Sequence, residues 1–402
     1  MNGKAAALAA SLLVASFVAT GCWNRRELNT MSILLGAGID KVGNQYRLSA
    51  QVVDPGEVAA AKGSSSARSP VTMYKATGST LFEAFRKMTL TSPRKIYASH
   101  IRILVIGENL AREGISGALD LLSRDPEMRT DYDILIARNT TAENVLKIMT
   151  PLEKIPANKL FDSLTTSERA WAPTTTFTLN ELIEQLVAKG QDPVLTGVII
   201  TGNPKVGEEY MNVNQIDPAV KLKLSTLAAF KGSRMVGWLT RDESKGYNLI
   251  MGNVRSTAVT LPCPNGGKLA LEVLRTKSKI KGGAENGRPT ARIQLKVEAN
   301  VAEVACIVDL DDPRTIRSLE RQAEEEKREL MVKAVKAAQK RYRADIFGFG
   351  EAIYRARPRY WQRISKDWKE HFPDMKVEYD IEVLIRRTGT TGKSFVGDIR
   401  GD

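Results

Sequence analysis

An uncharged apolar run near the start of the chain indicates which residues belong to the folded, mature protein. It covers residues 5–20, directly after Lys4, and is too short for a comfortable membrane span, which needs about 20 residues. A short basic start, an apolar stretch and small residues before a cut site are typical of a secretory signal. We therefore predict that residues 1–21 are a signal peptide and that the exported chain folds from residue 22 onward.

The residues at the predicted cut site are Ala19-Thr20-Gly21-Cys22. Small residues followed by cysteine resemble the lipobox of bacterial lipoproteins, in which the cysteine sulfur takes a diacylglycerol and becomes the first mature residue. The usual leucine of that motif is Ala19 here. Cys22 is thus the predicted lipid attachment site. Its acyl chains would anchor the protein to a phospholipid membrane, and the polypeptide itself would not span the bilayer. The alternative is an ordinary signal peptide followed by an incidental cysteine.

Length and composition are those of an ordinary globular chain. The 402 residues correspond to two or three domains at about 150 residues each. Hydrophobic residues make up 43% and charged residues 26%, which excludes wholesale disorder, a collagen-like fibre and a multi-span membrane protein. The net charge of +13 favours anionic partners, either nucleic acid or a phospholipid surface.

Histidine and cysteine are scarce in this sequence. The two histidines, His100 and His371, have no further ligand at zinc-binding spacing, so we predict no metal and no cofactor. Three cysteines argue against a disulfide framework. Two alternatives remain for Cys263 and Cys306: they form a disulfide with each other, or they are free cysteines buried in the core, as is usual for free cysteine.

Strand and helix patterns alternate after residue 30 and predict an α+β fold with mixed or antiparallel sheets packed by helices. A hairpin is predicted from residues 32–39 and 46–53, joined at Gly43-Asn44. This hairpin argues for a mixed sheet over a purely parallel one. The other elements predicted before residue 203 are strands over 101–106, 131–137 and 194–201, a helix over 108–122, and helices that start at Thr80, Thr141 and Thr178.

Polar stretches rich in glycine and proline predict two boundaries, at residues 203–220 and at Pro262–Gly267. The three predicted domains are residues 22–203, 204–264 and 265–402, of which the first and last are α+β and the middle one is small. In the last domain we predict antiparallel strands, a long helix from about Asp312 to Arg343, and a final strand over 376–387.

The sequence gives little support for an enzyme. Residues 391–394 (Thr-Gly-Lys-Ser) resemble the end of a phosphate-binding loop, but Arg387 stands where that loop needs a glycine. No Gly-x-Ser-x-Gly motif occurs, and His100 directly precedes a strand, where a structural histidine is commoner than a catalytic one. We therefore predict no catalytic residue.

Residues 333–369 form a basic stretch with eleven lysines or arginines against three acidic residues. The aromatic residues interleaved with them are Tyr342, Tyr354, Tyr360, Trp361 and Trp368. In an exported, lipid-anchored protein this pattern favours an anionic headgroup surface or an acidic partner over nucleic acid. The alternative is a solvated helix face whose aromatic side chains belong to the core.

Several sequence blocks occur in order across nearly the whole chain and together resemble one known family. They are Cys22-Trp23-Asn24-Arg25-Arg26-Glu27-Leu28, Gly36-Ala37-Gly38-Ile39-Asp40, residues 78–86 with Pro93-Arg94-Lys95 and Ser99-His100, residues 106–115 with Ser123-Arg124-Asp125, Ala229-Phe230-Lys231-Gly232 with Val236-Gly237-Trp238-Leu239, and Asp345-Ile346-Phe347-Gly348-Phe349-Gly350. This set resembles the Ger(x)C lipoproteins, the C subunits of spore germinant receptors.

The resemblance implies a three-domain α+β protein without known enzymatic activity, attached through Cys22 to the outer face of the spore inner membrane. It implies integral-membrane A and B receptor subunits as partners, in a complex that responds to nutrients and starts germination. It supplies no catalytic, cofactor-binding or ligand residues. Two alternatives stay open: an envelope lipoprotein that binds a small solute directly, and a membrane-anchored enzyme acting on wall polymers.

Overall fold

The computed structural model describes residues 3, 30–53, 69–171, 173–263 and 266–388. Over these ranges the chain forms helices and two mixed sheets, which confirms the predicted α+β class. The predicted signal peptide, the lipid attachment site Cys22 and residues 391–394 lie outside the described residues.

The first sheet has nine strands. In chain order they are β1 (Met31–Val42), β2 (Gln45–Val53), β3 (Val71–Gly78), β4 (Lys95–Tyr97), β5 (Ile103–Gly107), β6 (Asp133–Ala137), β7 (Val194–Thr201), β8 (Lys221–Lys231) and β9 (Arg234–Trp238). Their order is β3-β2-β1-β5-β6-β7-β8-β9, with β4 beside the start of β1. β1, β5, β6 and β7 are parallel, and antiparallel strands flank them on both sides. The predicted hairpin β1–β2 is confirmed.

Helices cover both faces of this sheet. They are α1 (Leu81–Lys87), α2 (Glu108–Glu113), α3 (Ser116–Arg124), α4 (Ala142–Lys147), α5 (Pro156–Ala170), α6 (Leu179–Val187) and α7 (Pro204–Gly207). Every residue of β5 is buried because its side chains alternate between two cores. Ile103 and Val105 face one core, while Leu104 and Ile106 face the other.

The second sheet has four strands in the order β10-β11-β12-β13. They are β10 (Thr257–Pro262), β11 (Lys268–Glu285), β12 (Arg288–Val304) and β13 (Lys376–Arg387), with β13 parallel to β12 and the other pairs antiparallel. The accompanying helices are α8 (Arg241–Met251), α9 (Pro313–Lys336), α10 (Phe349–Ala356), α11 (Pro358–Ile364) and α12 (Trp368–His371). The inner face of this sheet shares one hydrophobic core with one face of the first sheet.

Two predicted helices differ from the structure. The helix predicted over 108–122 is broken at Gly114, because the amide of Ile115 donates to the carbonyl of Ser233 in the β8–β9 turn and not to its own helix (3.0 Å). The helix predicted to reach Arg343 ends as α9 at Lys336 and continues as a π-helical turn over Ala337–Tyr342. The break at Gly114 comes from a contact that a local hydrophobic pattern does not contain.

The strands that lie within residues 204–264 do not form a sheet of their own. β8 and β9 extend the first sheet, because β8 pairs with the otherwise exposed edge of β7, whereas β10 pairs with β11 in the second sheet. The division at 22–203, 204–264 and 265–402 stays a prediction.

Cys263 and Cys306, whose pairing the sequence left open, form a disulfide. The two residues are 43 positions apart and both are buried. Cys263 follows β10 and Cys306 follows β12, so the bond ties together the ends of two strands that lie on either side of β11.

Candidate functional site

The predicted lipid attachment site has no described geometry, because Cys22 precedes the first described strand. Within the ranges given above, no helix is long and apolar enough to cross a membrane. The remaining blocks of the family resemblance lie within the described residues. Those at 36–40, 106–115, 229–239 and 345–350 contribute to three junctions, each centred on a carboxylate.

The Asp40 junction joins β1 to the start of α4. The Asp40 side chain is 4% exposed and accepts hydrogen bonds from the amides of Ala142 (2.8 Å) and Glu143 (3.0 Å). Burial raises the pKa of Asp40, although the two hydrogen bonds from the amides act in the opposite direction and lower it. A Cβ atom at position 107 would lie 2.2 Å from Asp40 Oδ1, so only glycine fits beside the carboxylate. This contact joins the block at 36–40 to the block at 106–115.

Glu143 extends the Asp40 junction with an ion cluster. Its carboxylate lies 2.8 Å from the ammonium groups of Lys75 and Lys147 and 3.2 Å from Arg47. Burial raises the pKa of Glu143, but the hydrogen bonds from Lys147 and Lys75 outweigh burial and hold it at about 2. Glu143 therefore stays ionised and fixes α4 against β2 and β3.

The Glu108 junction joins the start of α2 to β9. Glu108 accepts hydrogen bonds from Trp238 Nε1 (3.1 Å), from the amide of Asn139 (3.2 Å) and from Arg112 (2.6 Å). The guanidinium of Arg138 lies 4.8 Å from the centre of the Trp238 ring, a distance at which a cation is attracted to an aromatic face. The tryptophan of the block at 236–239 is thereby held on both its edge and its face.

The Asp345 junction joins the loop before α10 to the first sheet. Asp345 is 3% exposed and accepts from the amides of Phe349 (3.0 Å) and Gly350 (2.8 Å) and from Trp368 Nε1 (3.2 Å). Burial raises the pKa of Asp345 to about 7, against these hydrogen bonds. One aspartate side chain thus orders the whole block at 345–350 and ties it to α12.

Asp192, which precedes β7, completes the Asp345 junction. Its carboxylate accepts from the amide of Asp345 (3.0 Å) and from the amide of Gly232 (2.7 Å), while its own amide donates to the carbonyl of Asp345 (2.8 Å). Sequence reasoning missed Asp192, because no local pattern connects it to a residue 153 positions away.

Glycines let the two backbones of the Asp345 junction meet. A Cβ atom at Gly190 would lie 2.8 Å from the Cα of Gly350 and 2.6 Å from the Trp361 ring. Nearby, the rings of Phe347 and Phe349 are stacked with centroids 5.2 Å apart. The block at 345–350 therefore serves as a packing element between the two sheets.

None of the three junctions resembles a catalytic site. Their carboxylates accept from backbone amides, tryptophan rings or cations and leave no nucleophile beside a general base. Across the part of the chain that the structure describes, no group of three His, Cys, Asp or Glu side chains is placed to hold a metal ion. His100 is exposed, with its ring centroid 6.0 Å from that of Tyr97.

The basic stretch at 333–369 keeps its two tryptophans in the core. Trp361 is 4% and Trp368 6% exposed, and the hydroxyls of Tyr342 and Tyr360 donate to backbone carbonyls. Four of the cations are paired with carboxylates: Lys333 with Asp242, Lys340 with Asp374, Arg341 with Glu243 and Arg355 with Glu351. The interpretation as a solvated helix face with core aromatics fits this stretch better than an aromatic-rich binding surface.

The buried aspartates give the protein an unusual dependence on pH. Burial raises the pKa of Asp133 to about 6 and that of Asp345 to about 7, so the folded state binds more protons than the unfolded state between about pH 4 and 7. Stability from these groups is therefore present at low pH and lost as pH rises, by at most about 1.4 kcal/mol per pH unit for each group. We expect a larger free energy of unfolding at pH 5.5 than at pH 8 in denaturant titrations, and a smaller difference in the Asp345→Asn variant. Greater stability at pH 8 would contradict this expectation.

Comparison with known proteins places the chain among the spore germination proteins. The family model "Spore germination protein N-terminal domain" matches residues 24–200, and the model "Spore germination B3/ GerAC like, C-terminal" matches residues 225–389. These ranges contain all three junctions.

Relatives match over nearly their full length. "Spore germination protein KC" of Bacillus subtilis (strain 168) is 33% identical over 392 residues, which is 95% of each chain. "Spore germination protein B3" of the same organism is 24% identical, over 93% of this chain and 95% of the relative. The solved structure described as "Crystal Structure of the GerBC protein" shares the fold, with a TM-score of 0.53 and 19% identity over 87% of this chain and 96% of that chain. The chain belongs to the Ger(x)C family of spore germination proteins.

Proposed function

We propose that the protein is the lipid-anchored subunit of a nutrient germinant receptor, on the outer face of the spore inner membrane. The observation that carries this proposal is the match to "Spore germination protein KC" over 95% of both chains, combined with the sequence Ala19-Thr20-Gly21-Cys22. Its partners would be integral-membrane A and B subunits, and its task would be to help assemble or stabilise the receptor.

The anchor would act by confinement. A diacylated Cys22 holds the folded domains in the plane of the membrane, which raises their effective concentration for membrane partners without any new contact. Trp23, Arg25 and Arg26 follow the anchor directly and suit the headgroup region of a bilayer. The proposal gives the protein no catalytic step, in keeping with a family that is not a known class of enzymes.

The disulfide supports a location outside the cytoplasm. Disulfides persist in oxidising compartments and are rare where thioredoxin and glutathione keep thiols reduced. The Cys263–Cys306 bond is therefore consistent with a chain that is exported behind a signal peptide.

Replacing Cys22 by alanine tests the proposed anchor. We expect the Cys22→Ala protein to leave the membrane fraction of spores and nutrient germination through this receptor to fail, because two acyl chains contribute about 0.8 kcal/mol per buried methylene. Asn24→Ala is the matched control and should stay in the membrane fraction. If the Cys22→Ala protein were recovered in the soluble fraction and its spores still germinated normally, the proposal would be contradicted.

Direct binding of a small solute is the second candidate, and one cleft favours it. The cleft has a volume of about 490 Å³, lies between α5 and β8, and has no carboxylate among its described lining residues. Its polar side chains are Lys159, Lys223, Arg241, Ser163, Ser167, Thr174, Ser225 and Thr226. Calorimetry with a panel of amino acids and sugars tests this candidate. Saturable binding that the Arg241→Glu variant abolishes would favour direct solute binding, and absence of any heat of binding would favour the assembly role.

A further inference from the structure

The second sheet has one closed edge and one open edge. At β13, side chains of α9 satisfy backbone groups: Val383 N donates to Glu324, Ile385 N donates to Glu320, and Tyr379 O accepts from Arg328. At the other side, β10 pairs with β11 only as far as Val273, and none of the described strands continues beside β11 up to Glu285. The end of α8 lies beside β11 at Ser278, whose hydroxyl donates to the carbonyl of Ile250 (2.7 Å). We call residues 279–285 of β11 the open edge.

A row of cations runs along β11 into the open edge. Arg275, Lys277, Lys279 and Lys281 are exposed and alternate along the strand, so they share the outer face of the sheet. Among the described residues none of the four has an ion-pair partner. The cations of the two neighbouring strands do have one: Arg292 pairs with Glu378, Lys296 with Glu382 and Arg386 with Glu298.

Two members of the cation row lie opposite like charges, whereas Arg275 lies opposite Glu298 and Lys279 opposite Gln294. Lys277 lies opposite Lys296, and Lys281 lies opposite Arg292 in the β11–β12 register. Like charges directly opposite each other destabilise an antiparallel pair. A carboxylate beside either of these pairs would relieve the repulsion, and the free side of β11 is where one can approach.

A cleft with both apolar and polar lining lies beside the open edge. Its charged or amide-bearing lining residues are Lys279, Lys281, Gln191, Glu351 and Arg355. Its volume is about 670 Å³, and it opens between the end of α8, β11 and α10. The apolar residues that line it are Ile250, Met251, Ile280, Phe347, Ala352 and Ala356. A strand added beside β11 would therefore point alternate side chains toward cations on one face and toward this cleft on the other.

We propose that the open edge of β11 binds an extended segment of a partner protein in which acidic and apolar residues alternate. Added strands gain main-chain hydrogen bonds from a free sheet edge and take their specificity from alternate side-chain positions. Acidic side chains would pair with Lys277, Lys279 and Lys281, and apolar side chains would enter the cleft. This inference does not depend on the lipid anchor or on the receptor proposed above.

Charge favours this occupant over a flat anionic bilayer. The outer face of the same sheet carries Glu378, Asp380 and Glu382 on β13, which an anionic membrane laid on the sheet would also meet. The chain itself does not supply the segment from residues 54–68 or 389–402, since each contains two acidic and two basic residues and no acidic–apolar alternation.

Peptide binding to the detergent-solubilised mature protein tests the proposal. The probe is a capped, fluorescein-labelled peptide of four Glu-Val repeats, and its affinity is measured by fluorescence anisotropy. We expect saturable binding that K277E/K279E/K281E weakens by about tenfold or more, since each opposite-charge cross-strand pair contributes up to about 1 kcal/mol. The neutral variant K277Q/K279Q/K281Q should weaken binding less, and it serves if the reversed variant does not fold.

Two controls separate strand addition from general attraction between charges. R359E/R363E/K366E makes the same change in net charge within the basic stretch and should alter affinity less than about twofold. A Glu-Pro repeat peptide has the same charge, but every second residue lacks a backbone N–H and has its φ fixed at about −65°, which does not suit a paired strand. It should bind more weakly than the Glu-Val peptide. Failure of the Glu-Val peptide to bind, equal binding of the Glu-Pro peptide, or equal loss in the control variant would overturn the proposal. So would binding of the protein to phosphatidylglycerol vesicles through the same three lysines without peptide binding.

Lysines on an edge strand also keep sheets from aggregating, and the same variants test that role. If protection were their only role, K277E/K279E/K281E would leave peptide binding unchanged. That result would overturn the proposal whatever the variant's tendency to self-associate.

Discussion

At pH 8, above the raised pKa of Asp345 of about 7, the Asp345→Asn variant is expected to lose about 3 kcal/mol of unfolding free energy, because a buried charged hydrogen-bond acceptor cannot be replaced by an amide at low cost. Asp345 Oδ1 accepts from Phe349 N, and Oδ2 accepts from Gly350 N and from Trp368 Nε1. An asparagine side chain places an NH₂ group at one of these oxygen positions. At least one buried donor then faces another donor and loses its partner.

Urea unfolding followed by tryptophan fluorescence measures this effect. Trp361 and Trp368 are buried beside the Asp345 junction, so their emission reports its loss directly. Asp374→Asn is the matched control: Asp374 is exposed and pairs with Lys340, and surface pairs of this kind contribute at most about 1 kcal/mol. Equal losses for the two variants would show that Asp345 is no more than an ordinary acidic residue.

Reduction of the Cys263–Cys306 disulfide is expected to cost about 4 kcal/mol of stability. The bond closes a loop whose ends are 43 positions apart, and the chain-entropy model gives about 4 kcal/mol for a loop of this length. Because Cys263 and Cys306 follow β10 and β12, the second sheet should lose its protection first. Hydrogen exchange of β10 and β11 amides, compared before and after reduction, would show this order.

The Cys263→Ala/Cys306→Ala variant provides the control for reduction. Cys22 is the only other cysteine in the sequence, so a reductant should not change the stability of this variant further. A loss below about 1 kcal/mol on reducing the unmodified protein would show that the bond contributes little to the folded state.

Elements specified by neighbouring residues could be predicted from the sequence. The β1–β2 hairpin turns at Gly43, which has the positive φ of +57° that such turns require. Thr178 and Glu181 form the predicted reciprocal cap at the start of α6. The final strand β13 begins and ends where its alternating pattern predicts.

Features that depend on distant residues could not be predicted in this way. β8 joins the first sheet through pairing with β7, and the hydrophobic pattern of β8 is the same whichever strand lies beside it. The break after α2 depends on a carbonyl at Ser233, and the Asp345 junction depends on Asp192. Cysteine spacing likewise does not encode the distance between Cys263 and Cys306.

The sequence blocks that form the candidate site could be identified in advance, but the arrangement of their side chains in the folded protein could not. The blocks at 36–40, 106–115, 236–239 and 345–350 supplied Asp40, Glu108, Trp238 and Asp345. The three carboxylates accept hydrogen bonds that hold helix starts and loops against the two sheets, and Trp238 donates one of them to Glu108. These roles follow only from the folded arrangement. The open edge of β11 emerges only when both edges of the second sheet are compared.

Purification of the tagged protein from detergent-solubilised spore membranes, with intact-mass analysis of its N-terminal peptide, tests the central claim most directly. We expect a mature chain that begins at a diacylated Cys22 and two integral-membrane proteins that copurify with it. A soluble protein with an unmodified Cys22 and no membrane partner would contradict the proposed anchor and the proposed receptor.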